Sequence, residues 1–306
     1  MNTIICVMGP TASGKTGLAV RLAGRYETEV ISADSMQVYR HMDIGTAKPD
    51  LAERSGVPHH MLDILDPSED YSAARYAHDA GICVDALLAR GLLPIVAGGT
   101  GLYIDALIGK RSFEEEPDTA EIRSRLQEEA RQAGSALLYE RLSAVDPERA
   151  VRLHPNDEKR IIRALEIYEA TGETATARDR RAAARAPRYR AVKIGLHWPD
   201  RTVLYERIDR RVDLMFEAGL LDEAARVRAM RPGRTASQAI GYKELFRYFD
   251  GLCTLNEARE EIARESRRYA KRQLTWLRHD PEIHWIDARN PEMCFCQACE
   301  ILEQNR

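Results

Sequence analysis

Short apolar runs alternate with amphipathic segments along the first third of the chain and again near its end. The runs lie at residues 4–8, 29–33, 59–64, 92–97, 191–197 and 283–286. Each run predicts a strand, and helical periodicity fills most of the intervals between them. This alternation is typical of an α/β protein in which helical crossovers connect the strands of a parallel sheet.

A second pattern interrupts the first. Residues 117–176 are rich in Ala, Arg, Glu and Leu, and their apolar positions recur at helical spacing without a strand signal. We therefore predict an all-helical insertion domain at residues 113–189 within a catalytic core formed by residues 1–112 and 190–306. The arginine-rich exit of the insertion, residues 178–190, predicts a basic linker.

The C-terminal region predicts two helices. Thr254 and Glu257 fit the capping-box pattern at a helix start, and we expect that helix to run to about His279. A shorter helix is predicted over residues 291–304.

Composition narrows the class of protein. The chain has 306 residues, of which 44% are hydrophobic and 30% are charged, and its net charge is −3. These values are ordinary for a globular protein, and a polyanionic partner would need a local basic patch. Neither a membrane span nor room for a signal peptide is evident, so we expect a cytoplasmic protein without a membrane partner. We also expect a monomer.

The cysteines predict a reduced protein without zinc. Three are scattered in apolar contexts, whereas the other three form a C-x-C-x-x-C cluster near the C-terminus. The cluster has no fourth ligand nearby, so an incidental cluster is favoured over a zinc site. The scattered residues are Cys6, Cys83 and Cys253, and the cluster is Cys294, Cys296 and Cys299.

A phosphate-binding loop follows the first predicted strand. Its residues fit G-x-x-x-x-G-K-[ST], and a helical pattern begins directly after them. Backbone N–H groups and the helix N-terminus favour phosphate oxygens, Lys15 would neutralise phosphate charge, and the Thr16 hydroxyl would ligate Mg²⁺. The expected fold is thus a P-loop kinase-like parallel sheet flanked by helices, with the all-helical insertion domain. The loop comprises Gly9, Pro10, Thr11, Ala12, Ser13, Gly14, Lys15 and Thr16.

Asp34 follows the second predicted strand at the edge of the sheet where the phosphate loop lies. A carboxylate there can help to hold Mg²⁺ or act as a general base for an incoming nucleophile. It can also simply cap the following segment, as Ser32 and Ser35 can. The residues themselves leave these interpretations open.

Residues 98–101, Gly-Gly-Thr-Gly, follow the fourth predicted strand at the same edge. They indicate either a close approach of the backbone to a ligand, which we favour, or a tight turn. That strand lacks the terminal acid with which nucleotide-hydrolysing P-loop proteins hold Mg²⁺. The absence weakens an ATPase hypothesis without excluding a small-molecule kinase.

Two basic patterns remain ambiguous. Arg207 and Arg211 share a helix face, which fits a solvated surface or a clamp on a diphosphate. The late helix carries basic residues interleaved with Tyr269 and Trp276, which fits the helix dipole as well as an RNA-binding stripe. These basic residues are Arg264, Arg267, Arg268, Lys271, Arg272 and Arg278.

Taken together, the motifs resemble the bacterial tRNA dimethylallyltransferase (tRNA isopentenyltransferase) family over nearly the whole chain. The resemblance rests on the phosphate loop, Asp-Ser-Met-Gln-Val-Tyr at 34–39, Asp-Ile-Gly-Thr-Ala-Lys-Pro at 43–49, Pro-His-His at 58–60, Gly-Gly-Thr-Gly-Leu-Tyr at 98–103, His-Pro-Asn-Asp-Glu-Lys-Arg at 154–160, Ile-Gly-Tyr at 240–242 and Lys-Arg-Gln-Leu-Thr-Trp-Leu-Arg at 271–278.

The resemblance implies transfer of a dimethylallyl group from dimethylallyl diphosphate to N6 of adenosine 37, on the 3′ side of the tRNA anticodon. It implies that Asp34 acts as the general base, that Thr100 contacts the reacting adenine, and that Lys15 is among the catalytic groups. The phosphate loop with Mg²⁺ on Thr16 would hold the diphosphate, and Arg211 and Arg207 would clamp it. The cysteine cluster does not reproduce the zinc finger of eukaryotic relatives.

The resemblance also implies contacts to the anticodon stem-loop of tRNA. The expected residues are Asp34, Ser35, Met36, Gln37, Thr100, Arg123, Lys159, Arg160, Ile161, Ile162, Arg163, Gly241, Tyr242, Lys271, Arg272, Gln273, Trp276 and Arg278. Two alternatives remain: an adenylate isopentenyltransferase that prenylates free nucleotides, and a P-loop small-molecule kinase. The insertion and the basic stripe favour tRNA, since a free nucleotide needs neither.

Overall fold

The computed structural model describes residues 2–109 and 119–305. The chain divides into two compact units: an α/β unit of Met1–Ile108 and Arg188–Arg306, and a helical unit of Gly109–Pro187. The predicted boundary at residue 113 lies outside the described residues. The other boundary falls at Pro187, close to the predicted residue 189.

The α/β unit is built on a six-stranded, all-parallel sheet with strand order β3-β2-β4-β1-β5-β6. The strands are β1 Thr3–Met8, β2 Val30–Ser32, β3 His59–His60, β4 Ile95–Gly98, β5 Arg190–His197 and β6 Ile283–Asp287. This architecture confirms the predicted fold class.

Three strands are shorter than predicted: β2 lacks one residue at each end, and β3 and β4 are shortened for local reasons. β3 ends at His60 because Met61 and Asp63 adopt positive φ angles of 62° and 56°, which turn the chain out of the sheet. β4 begins only after Pro94, which has no N–H to donate.

Helices cover both faces of the sheet. They are α1 Lys15–Tyr26, α2 Leu51–Arg54, α3 Ala73–Ala89, α4 Gly101–Leu107, then, after the helical unit, α10 Arg201–Glu217, α11 Leu220–Ala229, α12 Tyr242–Phe249, α13 Leu255–Arg278 and α14 Pro291–Gln304. The predicted capping box of α13 is present, with Thr254 accepting a hydrogen bond from the Glu257 amide. Within β1, Ile4 and Cys6 pack into one core and Ile5 and Val7 into another.

The helical unit has a core of its own, formed by residues such as Leu126, Leu142 and Leu165. Its helices are α5 Ala120–Ala133, α6 Ser135–Val145, α7 Pro147–Val151, α8 Glu158–Thr171 and α9 Ala175–Ala183. The predicted basic linker at 178–190 is therefore wrong over its first half. Thr174 caps α9, and helix-favouring alanines carry the helix through those positions.

The cysteine cluster lies on α14. The buried Cys294 thiol donates to the Asp287 carbonyl oxygen, whereas Cys296 is exposed. The prediction that the cluster binds no zinc stays a prediction. In the described part of the chain, every helix is too short or too polar to cross a bilayer.

Candidate active site

The phosphate loop connects the end of β1 to the start of α1, as its sequence predicts. Gly14 has a φ of 96°, a conformation that side chains disfavour, and α1 begins at Lys15. The Lys15 ammonium donates to the Pro10 carbonyl oxygen at 2.7 Å, so it lies folded over the loop. The buried Ser13 hydroxyl has no hydrogen-bond partner among the described residues.

Arg207 and Arg211 of α10 both reach this loop. Arg211 donates to the Thr11 hydroxyl at 3.2 Å, and Arg207 donates to the Ala12 carbonyl oxygen at 3.1 Å. The Arg207 guanidinium also stacks on Trp198, 4.6 Å from the ring centre. Two guanidinium groups bound to neutral atoms of a phosphate loop form a site suited to a multiply charged anion.

The positive charges of Lys15 and Arg211 lie close to each other and repel one another. Burial and the charge of Arg211 lower the pKa of Lys15 to about 8, and the charge of Asp34 opposes that change. Burial likewise lowers the pKa of Arg211, against the charges of Asp34 and Glu53. An anion bound between Lys15 and Arg211 would relieve this repulsion.

Asp34 and Thr100 meet next to the loop. The Asp34 carboxylate accepts a hydrogen bond from the Met36 amide at 2.9 Å, and the Ser35 amide donates to the Thr100 hydroxyl at 3.2 Å. Tyr269 of α13 lines the same cavity as Asp34. Burial and the nearby Asp34 charge raise the pKa of Tyr269 to about 12, and a hydrogen bond with Thr100 opposes the change. The carboxylate is thus held at the wall of the site by its own turn.

The glycines at 98–101 allow other parts of the protein to pack closely against them. Gly98 also lines the cavity described below, and the ligand contact favoured from the sequence stays a prediction. A Cβ on Gly98 would lie 2.1 Å from the Ala33 carbonyl oxygen. One on Gly99 would lie 2.0 Å from the Gln273 side-chain nitrogen, and one on Gly101 would lie 2.3 Å from the Trp276 ring. The glycines allow β2 and α13 to pack against this loop.

Many of these groups line one cavity of about 990 Å³ in the α/β unit. Its polar wall contains predicted residues: Thr11, Ala12, Ser13, Gly14, Lys15, Thr16, Asp34, Ser35, Met36, Gln37, Arg207, Arg211, Arg272 and Gln273. Its apolar wall was not predicted and includes Val212, Met215, Ile240 and Ile262. The lining does not include Gly9, Pro10, Thr100, Gly241, Tyr242, Lys271, Trp276 or Arg278.

Gly241 and Tyr242, predicted as tRNA contacts, each bind a buried carboxylate that the sequence did not single out: the Gly241 amide donates to Glu244, and the Tyr242 hydroxyl donates to Glu223. Glu223 accepts hydrogen bonds from the Gly45 amide at 3.0 Å and from the Tyr242 hydroxyl at 2.6 Å. It also accepts from the amides of two preceding residues, Asp43 and Ile44. Tyr242 is fully buried, so its side chain holds the 43–49 motif in place.

Two of the predicted tRNA residues on α13 are less exposed than the basic ones. Lys271, Arg272 and Arg278 are exposed, as an RNA contact requires. Gln273 is only 5% exposed and points towards the phosphate loop, and Trp276 packs over Gly101.

In the helical unit, the predicted residues fall into two groups. Lys159 and Arg160 are exposed at the start of α8, whereas the Ile161 and Ile162 side chains fill the helical core and are inaccessible to a ligand. The contact of these four residues with tRNA stays a prediction.

Arg123 and Arg163 of the helical unit both pair with the buried Glu166. Arg123 donates to it through two nitrogens, at 2.7 and 3.0 Å, and Arg163 donates at 2.7 Å. Burial alone would raise the pKa of Glu166, but the bonds from Arg123 and Thr119 and the charge of Arg163 outweigh it and lower the pKa. This cluster links α5 to α8.

Comparison with known proteins identifies the family. The family model described as IPP transferase matches residues 37–280. The chain belongs to the IPP transferase family. The tRNA dimethylallyltransferase of Bacillus subtilis is 46% identical to it over 289 residues, which are 94% of this chain and 91% of that protein.

Solved structures of the IPP transferase family share the fold. The tRNA isopentenylpyrophosphate transferase of Bacillus halodurans has a TM-score of 0.73 and 42% identity, covering 99% of this chain and 98% of that one. A eukaryotic dimethylallyltransferase acting on tRNA has a TM-score of 0.75 and 30% identity, covering 94% of this chain and 74% of that one.

Proposed function

We propose that this enzyme transfers a dimethylallyl group from dimethylallyl diphosphate to N6 of adenosine 37, next to the anticodon of tRNA. The observation that carries the proposal is one cavity lined by a phosphate loop, two arginines, Asp34 and a group of apolar side chains. Apolar side chains in the same cavity as a phosphate loop suit the hydrocarbon chain of an allylic diphosphate. The relatives of this enzyme from Acetivibrio thermocellus and Bacillus subtilis are tRNA dimethylallyltransferases.

The polar side of the cavity suits a diphosphate leaving group. As the bond between carbon and the diphosphate oxygen breaks, negative charge grows on the diphosphate. Lys15, Arg207 and Arg211 would stabilise that charge, with the backbone amides of the loop. The dimethylallyl chain would lie against Met215 and Ile262.

Asp34 would act on the acceptor. An exocyclic adenine amine is a poor nucleophile because its lone pair is delocalised into the ring. Asp34 would orient this amine and accept its proton as the bond from nitrogen to carbon forms. Thr100, bound to the turn that carries Asp34, would contact the reacting base. An anticodon loop is single-stranded, so extruding its base is inexpensive.

The residues fit a magnesium ion beside the diphosphate. Thr16 and Asp34 both line the cavity, and hydroxyl and carboxylate oxygens are the donors that Mg²⁺ accepts alongside phosphate oxygens. When bound, the ion would neutralise charge on the diphosphate. The proposal also includes a monomeric, cytoplasmic enzyme without a membrane partner.

The test is an acceptor and donor comparison with purified protein. With dimethylallyl diphosphate and Mg²⁺, we expect prenylation of an unmodified anticodon stem-loop and none of AMP. Turnover of AMP alone would replace the proposal with an adenylate isopentenyltransferase. Phosphoryl transfer from ATP to a small molecule would replace it with a kinase.

A further inference from the structure

Gln273 joins two loops of the active site through its side-chain amide. Its oxygen accepts a hydrogen bond from the Thr11 amide in the phosphate loop at 2.8 Å. Its nitrogen donates to the Gly99 carbonyl oxygen at 3.0 Å. A single side chain thus spans the loop of the donor and the loop that precedes Thr100.

The fit around Gln273 is tight on the Gly99 side. A Cβ on Gly99 would lie 2.0 Å from the Gln273 nitrogen, so a side chain at position 99 and the present Gln273 orientation exclude each other. Gln273 itself is buried, and both of its amide atoms are satisfied by backbone groups. Both the length of the Gln273 side chain and its amide group are therefore needed to connect the two loops.

Gln273 differs from its neighbours on α13 in burial. Lys271 and Arg272 are exposed, and Arg272 also lines the cavity, whereas Gln273 is buried against the two loops. The helix thus carries exposed cations, while Gln273 holds both active-site loops.

We propose that Gln273 is a positioning residue that fixes the spacing between the diphosphate loop and the Gly99–Thr100 loop. The inference rests on the proposed function, because the distance between the two substrates matters only if a group passes between them. A displacement of about 1 Å between reacting groups can cost about a hundredfold in rate. Loss of the bridge should therefore act on kcat more than on the affinity for RNA.

The first test is Gln273→Met, which keeps the length of the side chain and removes both hydrogen bonds. We expect kcat for the stem-loop to fall by about 10- to 100-fold, with KM for the stem-loop within about threefold of wild type. Gln297→Met is the matched control, because Gln297 is exposed on α14. It should leave both constants unchanged.

A double-mutant cycle tests the Gly99 contact itself. Gly99→Ala should displace the Gln273 amide and lower kcat as Gln273→Met does. If both changes break one bridge, the double variant should be no slower than the slower single variant. Additive losses would show that the two residues act separately and would overturn the proposal.

Other outcomes also decide the matter. A raised KM for the stem-loop with unchanged kcat would make Gln273 a direct RNA contact and would contradict the positioning role. Unchanged constants would contradict it as well. If Gln273→Met does not fold, judged by its thermal unfolding, Gln273→Glu carries the test, because it keeps the acceptor for Thr11 and loses the donor to Gly99. Its kcat should lie below that of wild type, and a wild-type kcat would overturn the proposal.

Binding of inorganic diphosphate separates this inference from the proposed function. We expect calorimetry to show weaker binding by Gln273→Met than by wild type, because the Thr11 amide is no longer held, and no change for Gln297→Met. If wild type and Gln273→Met bind diphosphate equally well, the positioning role is overturned, whether or not wild type prenylates RNA. If Gln273→Met binds diphosphate more weakly but wild type does not prenylate RNA, only the proposed function is rejected.

Discussion

The arginines of the helical unit and those of the cavity have opposite surroundings. In the helical unit, arginines pair with carboxylates on the same or a neighbouring helix, as Arg125 and Arg141 do with Glu169. At the cavity, Arg207 and Arg211 bind neutral atoms of the phosphate loop. The first set stabilises a fold, whereas the second keeps positive charge available to an anion.

The contrast teaches that arginine content alone says little about nucleic-acid or phosphate binding. Arg123 and Arg163 resemble RNA-binding residues in the sequence, yet the buried Glu166 binds both. A buried carboxylate between two arginines is costly to leave unpaired, so these pairs matter first for the stability of the helical unit.

The largest expected effect is at the cavity. Asp34→Ala should lower the single-turnover rate of prenyl transfer by about 100- to 10,000-fold, because the amine loses its proton acceptor. Affinity for the stem-loop should change little. Rapid-quench measurement gives the rate and filter binding gives the affinity. A near-normal rate would remove Asp34 from the chemistry.

The matching change in the helical unit is Glu166→Ala. Because it removes the carboxylate that binds Thr119, Arg123 and Arg163, while both arginines remain partly exposed to water, the free energy of unfolding of this unit should fall by about 1–3 kcal/mol. Hydrogen exchange of the amides of α5 and α8 measures the loss. Glu173→Ala is the control, since its pair with Arg181 is partly exposed and worth at most about 1 kcal/mol. Unchanged protection in Glu166→Ala with weakened RNA binding would break the comparison.

Removing one cavity arginine should weaken anion binding without unfolding the protein. Arg211→Met should reduce the affinity for inorganic diphosphate by about 10- to 100-fold, the value of a charge-assisted hydrogen bond. Calorimetry measures it. Arg201→Met serves as the comparison on the same helix, because Arg201 is exposed and lies outside the cavity lining. An equal loss in both variants would indicate a general effect of positive charge rather than a clamp by Arg211.

The exposed cations of α13 that lie outside the cavity lining should act on RNA affinity alone. Neutralising Lys271 and Arg278 together should weaken stem-loop binding by about tenfold and reduce its salt dependence by about one to two counterions. Titrations at several salt concentrations measure both. If affinity and slope are unchanged, the charge pattern of α13 reflects the helix dipole only.

The smallest effect concerns pH. The lowered pKa of Lys15, about 8, means that its ammonium is charged below that pH and is lost as pH rises through it. Affinity for inorganic diphosphate should therefore fall above pH 8, by no more than about tenfold per pH unit. In Lys15→Arg the guanidinium stays charged over this range, so the diphosphate affinity of this variant should fall less steeply with pH. The same profile in both proteins would assign the titration to the ligand.

Much of the fold could be predicted from the sequence, because parallel strands buried on both faces leave continuous apolar runs. The ends of β3 and β4 could not, since they depend on the positive φ of Met61 and on Pro94. The packing role of the glycines at 98–101 could not be predicted either, because nothing local reveals Gln273 and Trp276, which come from a distant helix.

The candidate site was predictable where one short motif holds it, as with the phosphate loop. The apolar wall was not, because Val212, Met215, Ile240 and Ile262 come from separate parts of the chain. Glu223 looks like any acid of an amphipathic helix, and only the fold shows three backbone amides converging on it.

The most direct measurement of the central claim is tandem mass spectrometry of a stem-loop after incubation with the enzyme, dimethylallyl diphosphate and Mg²⁺. We predict one dimethylallyl group on N6 of the adenosine that follows the anticodon, with one diphosphate released for each group transferred. An unmodified stem-loop, or a group on any other nucleotide, would contradict the account.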